Sequence, residues 1–277
     1  MKLLNLLYNP RIRRLITRHR QNWLVSWLND FSVLYHQTYE NRNYNFHENG
    51  EAFVLRKVQA HSVIKTVFDV GANVGDWSAV AAGLFPEAKI YAFEILPNIF
   101  AQLEDKLKIS PNVKAYNVGL SDKEEETFVN YVEANSALST CLEDFSEEFH
   151  RLTSKREPCR TISGDLFCER NSIQQIDFLK IDVEGFEGKV LKGFERLLAN
   201  GAVKAVQFEY GYASVSSNFF LKDFYKLFNH YNMAVGKIYP TGVDFSDYNY
   251  MKEDFIGPNY IAIQRSEIDL IQALKID

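Results

Sequence analysis

The spacing of apolar residues divides the chain into an N-terminal extension and a larger region with alternating elements. In the larger region, short apolar runs predict seven strands, at residues 67–70, 90–93, 113–118, 178–181, 203–208, 233–239 and 260–263. Helix-like patterns separate most of them, at residues 74–85, 97–108, 184–199 and 217–230. An extra strand is predicted at 127–132, and an irregular stretch at 133–160. This alternation predicts an α/β fold, with a mostly parallel sheet covered by helices on both faces.

The extension, taken as residues 1–55 against a main domain of 56–277, has its own chemistry. Asn9 and Pro10 are typical of a helix start, and the pattern that follows predicts a basic amphipathic helix over residues 10–20. Another apolar set follows at 23–31, and residues 36–50 are interpreted as a loop or hairpin. Three roles stay open for the extension: packing on the main domain, peripheral contact with a membrane, and docking of a partner or substrate.

Charge and cysteine content narrow the class of protein. Residues 1–30 carry six basic side chains and one acidic one, a net charge of +5, so the rest of the chain carries −10 of the total of −5. That balance argues against a nucleic-acid binder. The three cysteines form no CxxC pair, which indicates a reducing compartment and no cysteine zinc site. We therefore expect a cytoplasmic protein, with membrane association or a homodimer through the extension left open.

A glycine turn follows the first predicted strand and precedes a helix. It runs from Gly71 to Gly75, and Asn73 stands where the dinucleotide fingerprint has the glycine that admits a pyrophosphate. With Asp69 at the strand end, the turn favours a ligand with an ammonium or sulfonium charge. Glu94 ends the next strand, where an acid typically binds ribose hydroxyls. Together these features predict S-adenosylmethionine as the ligand.

Further charged residues follow two later strands, at the sheet edge where open α/β folds bind ligands. Lys180 and Asp182 share one strand face, which indicates either a structural ion pair or a functional one. We expect Asp182, Glu184 and Glu209 to accept a proton, with Lys180 orienting an acid or stabilising an alkoxide. Two other interpretations remain: solvated strand-end acids, and a divalent cation such as magnesium on Asp182 and Glu209. We favour a site without a metal.

Five segments, in this order, resemble the FkbM family of methyltransferases: residues 68–75, 92–94, 117–121, 180–185 with Glu187, and 208–209. The resemblance implies a class I methyltransferase fold, with seven strands and the last one antiparallel. It implies cofactor contacts from Asp69, Gly71, Ala72, Asn73, Gly75, Glu94 and Ile95, with Asn117, Gly119, Leu120 and Ser121 beside the adenine. Ile95 departs from the family's usual Glu-Pro.

The resemblance implies methyl transfer from S-adenosylmethionine to oxygen, commonly of a sugar, with S-adenosylhomocysteine as product. The expected partner is therefore a saccharide or another hydroxyl-bearing acceptor. Residues 131–140 and 35–47 are the segments that we expect to contact it. Two alternatives stay open: a small natural-product hydroxyl or carboxyl as acceptor, and a non-catalytic scaffold that binds the cofactor and is recruited by its N-terminal helix.

Overall fold

The computed structural model describes residues 7–132, 135–140 and 154–276, with the backbone alone at 132, 135–140 and 154. The chain divides into two compact units, Met1–Arg42 and Asn43–Asp277. The smaller unit contains helices α1 (Pro10–Arg18) and α2 (Trp23–Tyr39). Asn9 caps α1 by accepting a hydrogen bond from the Arg11 amide, as its position in the sequence predicts. Because α2 continues to Tyr39, the predicted loop over 36–50 is wrong in its first four residues.

The larger unit begins before the predicted boundary at residue 55. Helix α3 (Glu51–His61) lies within it and buries Val54, Leu55 and Val58 in the same core as Trp77. Gly50 caps this helix in a left-handed conformation, and a Cβ there would lie 2.2 Å from the Tyr239 carbonyl oxygen. The residues from Asn43 to 55 thus group with the main domain, whereas the sequence assigned them to the N-terminal extension.

The main sheet places strand β1 (Thr66–Val70) between β2 (Lys89–Phe93) and β8 (Ile176–Ile181), both parallel to it. Its other strands are β3 (Val113–Tyr116), β9 (Val203–Glu209), β10 (Met233–Tyr239), β11 (Gly242–Asp244) and β12 (Asn259–Gln264). Among the described residues the order is β11, β10, β12, β9, β8, β1, β2, β3.

Seven of these strands have the class I methyltransferase order, and β12 runs antiparallel to β9 and β10 on its two sides. The predicted fold is therefore confirmed, with an eighth strand, β11, added at the edge. Three residues are too few to give an apolar pattern, which is why the sequence did not indicate β11.

Helices follow the strands on both faces of the sheet. They are α4 (Asp76–Leu84), α5 (Pro97–Leu107), α6 (Gly164–Arg170), α7 (Glu187–Gly193), α8 (Glu195–Ala199), α9 (Ala213–Ser217), α10 (Leu221–His230) and α11 (Ile268–Leu274), with a 3₁₀ helix at Tyr250–Lys252. The single helix predicted over 184–199 is two helices, α7 and α8, with the buried Phe194 between them.

A second sheet corrects part of the prediction of an irregular stretch at 133–160, because 135–140 and 154–160 are strand residues, whereas 133–134 and 141–153 lie outside the described residues. Its strands are β4 (Gly119–Ser121), β5 (Glu125–Val132), β6 (Asn135–Thr140) and β7 (Ser154–Ser163), in the order β4, β7, β5, β6. Strand β7 begins with charged residues and contains Pro158, so no apolar alternation marks it. Its Cys159 packs with Val129 and Tyr131 against Leu96.

The two faces of the main sheet carry separate cores, because successive residues of a strand point to opposite sides. Val67 packs against α3 and α4 on one face, and Phe68 packs into an aromatic core on the other. The Phe68 ring centroid lies 5.2 Å from that of Phe93 and 6.0 Å from that of Phe194. With both faces covered, the exposed carboxyl edge of the parallel strands is where chemistry can take place.

We predict that Leu55→Ala lowers the free energy of unfolding by about 2–5 kcal/mol, because it leaves a cavity under α3. Urea denaturation of the full chain measures this change. Leu34→Ala, in the smaller unit and 63% exposed, is the matched control and should stay within about 0.5 kcal/mol of the wild type. Equal effects of the two substitutions would show that α3 is not part of the core.

Candidate functional site

A row of polar side chains crosses the centre of the main sheet near its carboxyl edge. Asp69 on β1 is in register with Lys180 on β8, which is in register with Gln207 on β9. All three are buried. Partners in register point to the same face of a sheet, so this face holds a charged row where the flanking positions are apolar. Buried charge at that depth requires close compensation.

Lys180 supplies the positive charge of this row. Its Nζ donates a hydrogen bond to Asp182 Oδ2 at 3.1 Å and lies 3.5 Å from Asp69 Oδ1. The ammonium also lies 5.8 Å from the centre of the Trp77 ring. Burial alone would lower the pKa of Lys180, but the carboxylates of Asp182 and Asp69 outweigh it and raise the pKa, so the side chain stays charged.

Asp69 belongs to the interior of the protein. It is fully buried, and its Oδ2 accepts a 2.6 Å hydrogen bond from the Ser78 hydroxyl on α4. Burial raises the pKa of Asp69, although the Lys180 ammonium opposes this. The sequence placed Asp69 in the cofactor group, whereas in the structure its carboxylate contacts Ser78 and Lys180.

Glu51, which the sequence did not indicate, completes the charged row from the start of α3. Its two carboxylate oxygens accept hydrogen bonds from Asn49 Nδ2 at 2.7 Å and from Gln207 Nε2 at 2.5 Å. Burial raises the pKa of Glu51, and the nearby Lys180 acts in the opposite direction. Gln207 and Lys180 lie far from Glu51 in sequence, so only its place as an acid in the first turn of α3 could have drawn attention to it.

The glycine turn after β1 uses its amide groups within the protein. The amides of Gly71 and Ala72 both donate to the Phe93 carbonyl oxygen, at 3.0 and 2.9 Å, and Gly75 donates to that of Ala72 at 2.9 Å. Gly71 has φ +82°, and a Cβ there would lie 1.8 Å from the Asp182 carbonyl oxygen. Gly71 is therefore required because the turn lies close to the loop after β8. The sequence had instead suggested that the glycines allow a ligand to approach the turn.

Glu94 connects the glycine turn to the end of β2. Its carboxylate accepts hydrogen bonds from the Asn73 amide and from the Leu96 amide, both at 2.9 Å. Burial raises the pKa of Glu94 to about 7, although both hydrogen bonds lower it. A carboxylate has about four acceptor sites, so each oxygen retains one for a ribose hydroxyl.

The loop after Glu94 is held by Asn117. Its Nδ2 donates to the carbonyl oxygens of Glu94 at 2.9 Å and Ile95 at 3.1 Å. The Ile95 side chain covers Gly119, where a Cβ would lie 2.6 Å from Ile95 Cδ1. Ile95 stands directly after Glu94, where the family usually has proline. In this chain the proline comes two residues later, as Pro97, the first residue of helix α5.

Leu120 and Ser121 lie deeper than the rest of the predicted adenine-binding segment. Leu120 is part of the aromatic core, and Ser121 is buried, with its hydroxyl donating to Asp122 Oδ1 at 3.3 Å. They are predicted cofactor residues whose contacts in this structure are internal.

Three acids converge at the carboxyl ends of β8 and β9. Each of Asp182, Glu184 and Glu209 places a carboxylate oxygen within 4.8 Å of the others. Glu184 has a left-handed backbone (φ 49°), which turns the chain between β8 and α7. Glu187 steadies this loop by accepting hydrogen bonds from the Val183 amide at 3.0 Å and the Gly185 amide at 3.3 Å. The expected grouping of catalytic acids is thus present in the structure.

The three acids differ in their affinity for protons. Partial burial would raise the pKa of Asp182, but the Lys180 ammonium and a hydrogen bond with Glu209 outweigh it, so the pKa lies below its usual range. Burial and the charge of Asp182 raise the pKa of Glu184 to about 9, and they raise that of Glu209 well above its usual value. Within this cluster Asp182 therefore favours the ionised form, whereas burial favours the protonated forms of Glu184 and Glu209.

The two predicted acceptor segments belong to different elements: 131–132 and 135–140 are strand residues of β5 and β6, and 35–47 is divided between the two compact units. Tyr131 is buried against Leu96, and the side chains of 132–140 lie outside the described residues. Tyr35 and Tyr39 belong to α2 in the smaller unit, whereas Phe46 packs against the core of the larger one.

The strand order, the glycine turn and the strand-end acids define the class of this protein as a class I methyltransferase. The family model described as "Methyltransferase FkbM domain" matches residues 69–233, well over half of the chain. The chain belongs to the FkbM methyltransferase family and carries an S-adenosylmethionine-dependent methyltransferase domain.

Three curated relatives match parts of the chain. The antimetabolite synthetase AmbE of Pseudomonas aeruginosa is 31% identical over 160 residues, covering 47% of this chain and 8% of that protein. The methyltransferase sdnD of Sordaria araneosa is 27% identical over 186 residues, covering 52% and 72%. The hexuronic acid methyltransferase AglP of Haloferax volcanii is 27% identical over 152 residues, covering 54% and 58%. The chain thus spans less than two thirds of AmbE and of AglP.

Two solved structures are similar at low identity. The precorrin-6y C5,15-methyltransferase of Geobacter metallireducens is 14% identical, with a TM-score of 0.39, and the match covers 77% of this chain and 87% of that one. Fibrillarin of Aeropyrum pernix, solved with S-adenosylmethionine, is 13% identical, with a TM-score of 0.40 and coverage of 79% and 76%.

We predict that Lys180→Met lowers the free energy of unfolding by about 3–5 kcal/mol near neutral pH, because it leaves buried carboxylates without a cation. The pKa of Asp69, already raised by burial, should rise further, so the folded state would bind protons that the unfolded state releases. The loss should therefore shrink as the pH falls from about 8 towards about 5.

Urea denaturation over this pH range measures the effect. Lys204→Met is the control, because Lys204 also pairs with a buried acid, Asp177, at 2.9 Å but is 29% exposed. Its loss should be smaller and should not shrink on acidification, since the pKa of Asp177 is lowered in the fold. A pH-independent loss in Lys180→Met would contradict the charge arrangement described above.

Proposed function

We propose that this protein transfers a methyl group from S-adenosylmethionine to a hydroxyl oxygen of a saccharide. The observation that carries the proposal is the cluster of Asp182, Glu184 and Glu209, whose oxygens lie within 4.8 Å of one another at the carboxyl edge of the sheet. The Asp182 backbone also contacts Gly71, so the acids and the glycine turn form one continuous region. Reacting groups in this fold need that proximity.

The residues present fit the cofactor. Glu94 retains acceptor sites for two ribose hydroxyls, and Asn73 and Gly75 shape the turn beside it. Asn117, Ile95 and Gly119 fix the neighbouring loop, where the adenine would lie. When bound, S-adenosylmethionine supplies an electrophilic methyl group carried on a sulfonium. Binding and placing it is the task of these residues, and the acids after β8 and β9 act on the acceptor.

The acceptor hydroxyl must lose a proton as its oxygen forms the new bond, and we assign that proton to the Asp182–Glu209 pair. Lys180 keeps Asp182 ionised, and Glu209 shares a hydrogen bond with it. An ionised carboxylate next to a protonated one can accept a proton while its partner's hydrogen bond reorients. General base assistance of this kind contributes about 10²–10⁴-fold to a rate.

The position of Lys180 supports a site without a metal. The Lys180 ammonium lies 3.1 Å from Asp182 Oδ2 and already neutralises the negative charge that would attract a divalent cation. It would also repel such a cation at close range. Magnesium bound by the three acids is the alternative, and measurements with and without added magnesium and a chelator distinguish the two.

The choice of a saccharide is supported by the relative AglP, which is named for methylating a hexuronic acid. The relative AmbE is named as an antimetabolite synthetase, which favours a small natural product as the second candidate acceptor. Transfer of a tritiated methyl group to uronates, to neutral sugars and to small hydroxylated or carboxylated metabolites separates the two.

We predict that Glu94→Gln weakens binding of S-adenosylhomocysteine about 10- to 100-fold, because it removes the charge and one acceptor of hydrogen bonds. Titration calorimetry measures the Kd. Glu87→Gln is the matched control, since Glu87 is exposed in the turn between α4 and β2, away from the carboxyl edge. Equal affinities in the two variants would exclude Glu94 from the cofactor site.

We predict that Glu209→Gln lowers turnover about 10²–10⁴-fold, while the Kd for S-adenosylhomocysteine changes less than about twofold. The reason is that the amide keeps the shape of Glu209 but cannot share a proton with Asp182. Methyl incorporation and calorimetry on the same samples measure both quantities, again with Glu87→Gln as control. Full turnover in Glu209→Gln would rule out the proton-sharing pair, and loss of activity with a chelator would favour the metal.

A further inference from the structure

Helix α2 presents aromatic rings to solvent along its length. Trp27, Phe31, Tyr35 and Tyr39 stack one turn apart, with ring centroids separated by 5.7, 6.4 and 6.4 Å. We call these four residues the aromatic ladder. With Trp23 in the preceding turn, its members are 55–75% exposed, and none of the 17 residues of α2 is buried. An apolar helix surface of this size on a monomer marks a place where something binds.

Helix α1 adds positive charge to the same compact unit. Arg11, Arg13, Arg14 and Arg18 are exposed. In the residues that the structure describes, none of these four forms an ion pair with a carboxylate. Leu15 and Ile16 lie exposed between them. Arg13 donates a hydrogen bond from Nε to the Leu7 carbonyl oxygen at 2.9 Å, and its guanidinium lies 5.3 Å from the centre of the Tyr8 ring. The helix is thus amphipathic with no carboxylate paired to these cations in the part of the chain that the structure describes, which favours an anionic partner with an apolar interior.

We propose that the unit Met1–Arg42 binds the surface of a bilayer that contains anionic lipids. The arginines of α1 pair with lipid phosphates, and the aromatic ladder enters the boundary between headgroups and acyl chains, where Trp and Tyr are favoured. No helix among the described residues is long and apolar enough to cross a membrane. This inference goes beyond the proposed methyl transfer and does not depend on it.

Charge distinguishes a bilayer from a second copy of the unit. Residues 1–30 carry a net charge of +5, so two copies meeting through this surface would bring like charges together. An anionic bilayer has the opposite charge, and each Arg near it contributes about 1 kcal/mol, or about fivefold in affinity. The rest of the chain carries −10 and is repelled by the same bilayer, so the attraction must come from the extension.

Sedimentation of the full chain with vesicles tests the proposal. Vesicles of phosphatidylcholine alone are compared with vesicles that also contain phosphatidylglycerol. We expect binding only to the second kind, and weaker binding at high salt because the charges are screened. The triple variant Arg11→Gln, Arg14→Gln and Arg18→Gln should bind on the order of 100-fold more weakly.

The aromatic ladder is tested separately. Trp27→Ala with Phe31→Ala should weaken vesicle binding by about tenfold or more, because both rings lose their apolar contact. Tyr250→Ala, a ring 79% exposed in the larger unit, is the aromatic control. Exposed lysines of that unit provide the charge control, as the triple variant Lys89→Gln, Lys226→Gln and Lys275→Gln. Neither control should alter binding.

Three results would overturn the proposal. The first is wild-type protein that is absent from both vesicle pellets, and the second is wild-type protein that is present equally in both. The third is a homodimer, measured by analytical ultracentrifugation, that Trp27→Ala with Phe31→Ala dissolves while vesicles are not bound. Binding of S-adenosylhomocysteine by the same samples shows that each variant is folded, and it keeps the outcome independent of the proposed reaction.

Discussion

The ammonium of Lys180 is the charge on which the structure of the site depends. It lies inside the sheet, and the acids that compensate it come from separate segments: Asp69 from the central strand and Asp182 from the loop after β8. Glu51 adds a carboxylate from a helix that precedes the family match. A buried charge is costly without its partners, so these segments are stable only together. The ion cluster thus couples the early helix, the core and the reactive edge.

This coupling gives three neighbouring acids different tasks. Without Lys180, burial would favour the protonated form of every carboxyl group at the carboxyl edge. The ammonium brings the pKa of Asp182 below its usual range, while the pKa values of Glu184 and Glu209 stay raised because burial outweighs any opposing charge. When the surroundings of two adjacent acids give them different pKa values, one site can hold both an acid and a base at the same pH. The difference comes from the position of each acid relative to Lys180, together with the hydrogen bond between Glu209 and Asp182.

Much of this arrangement could be predicted from sequence, because strand ends carry a local signature. The order of the main strands, the antiparallel β12, and the pairing of Lys180 with Asp182 all follow from short motifs. What could not be predicted depends on distant partners. Glu51 gains its role from Gln207, and β7 is stabilised by pairing with β5 in spite of its charged start. The amides of the glycine turn could be assigned only once Phe93 and Glu94 were placed.

The position of β1 in the sheet also affects how the chain is made. One neighbour, β2, follows it closely, but the other, β8, begins only at Ile176. A growing chain therefore exposes one side of an apolar strand, with unpaired amides and carbonyls, until β8 has been synthesised. During that interval Asp69 on β1 has no Lys180 to pair with. Its uncompensated charge opposes the association of this strand with the same strand of another chain. The residue that is paired inside the finished enzyme thus protects the nascent chain from aggregation.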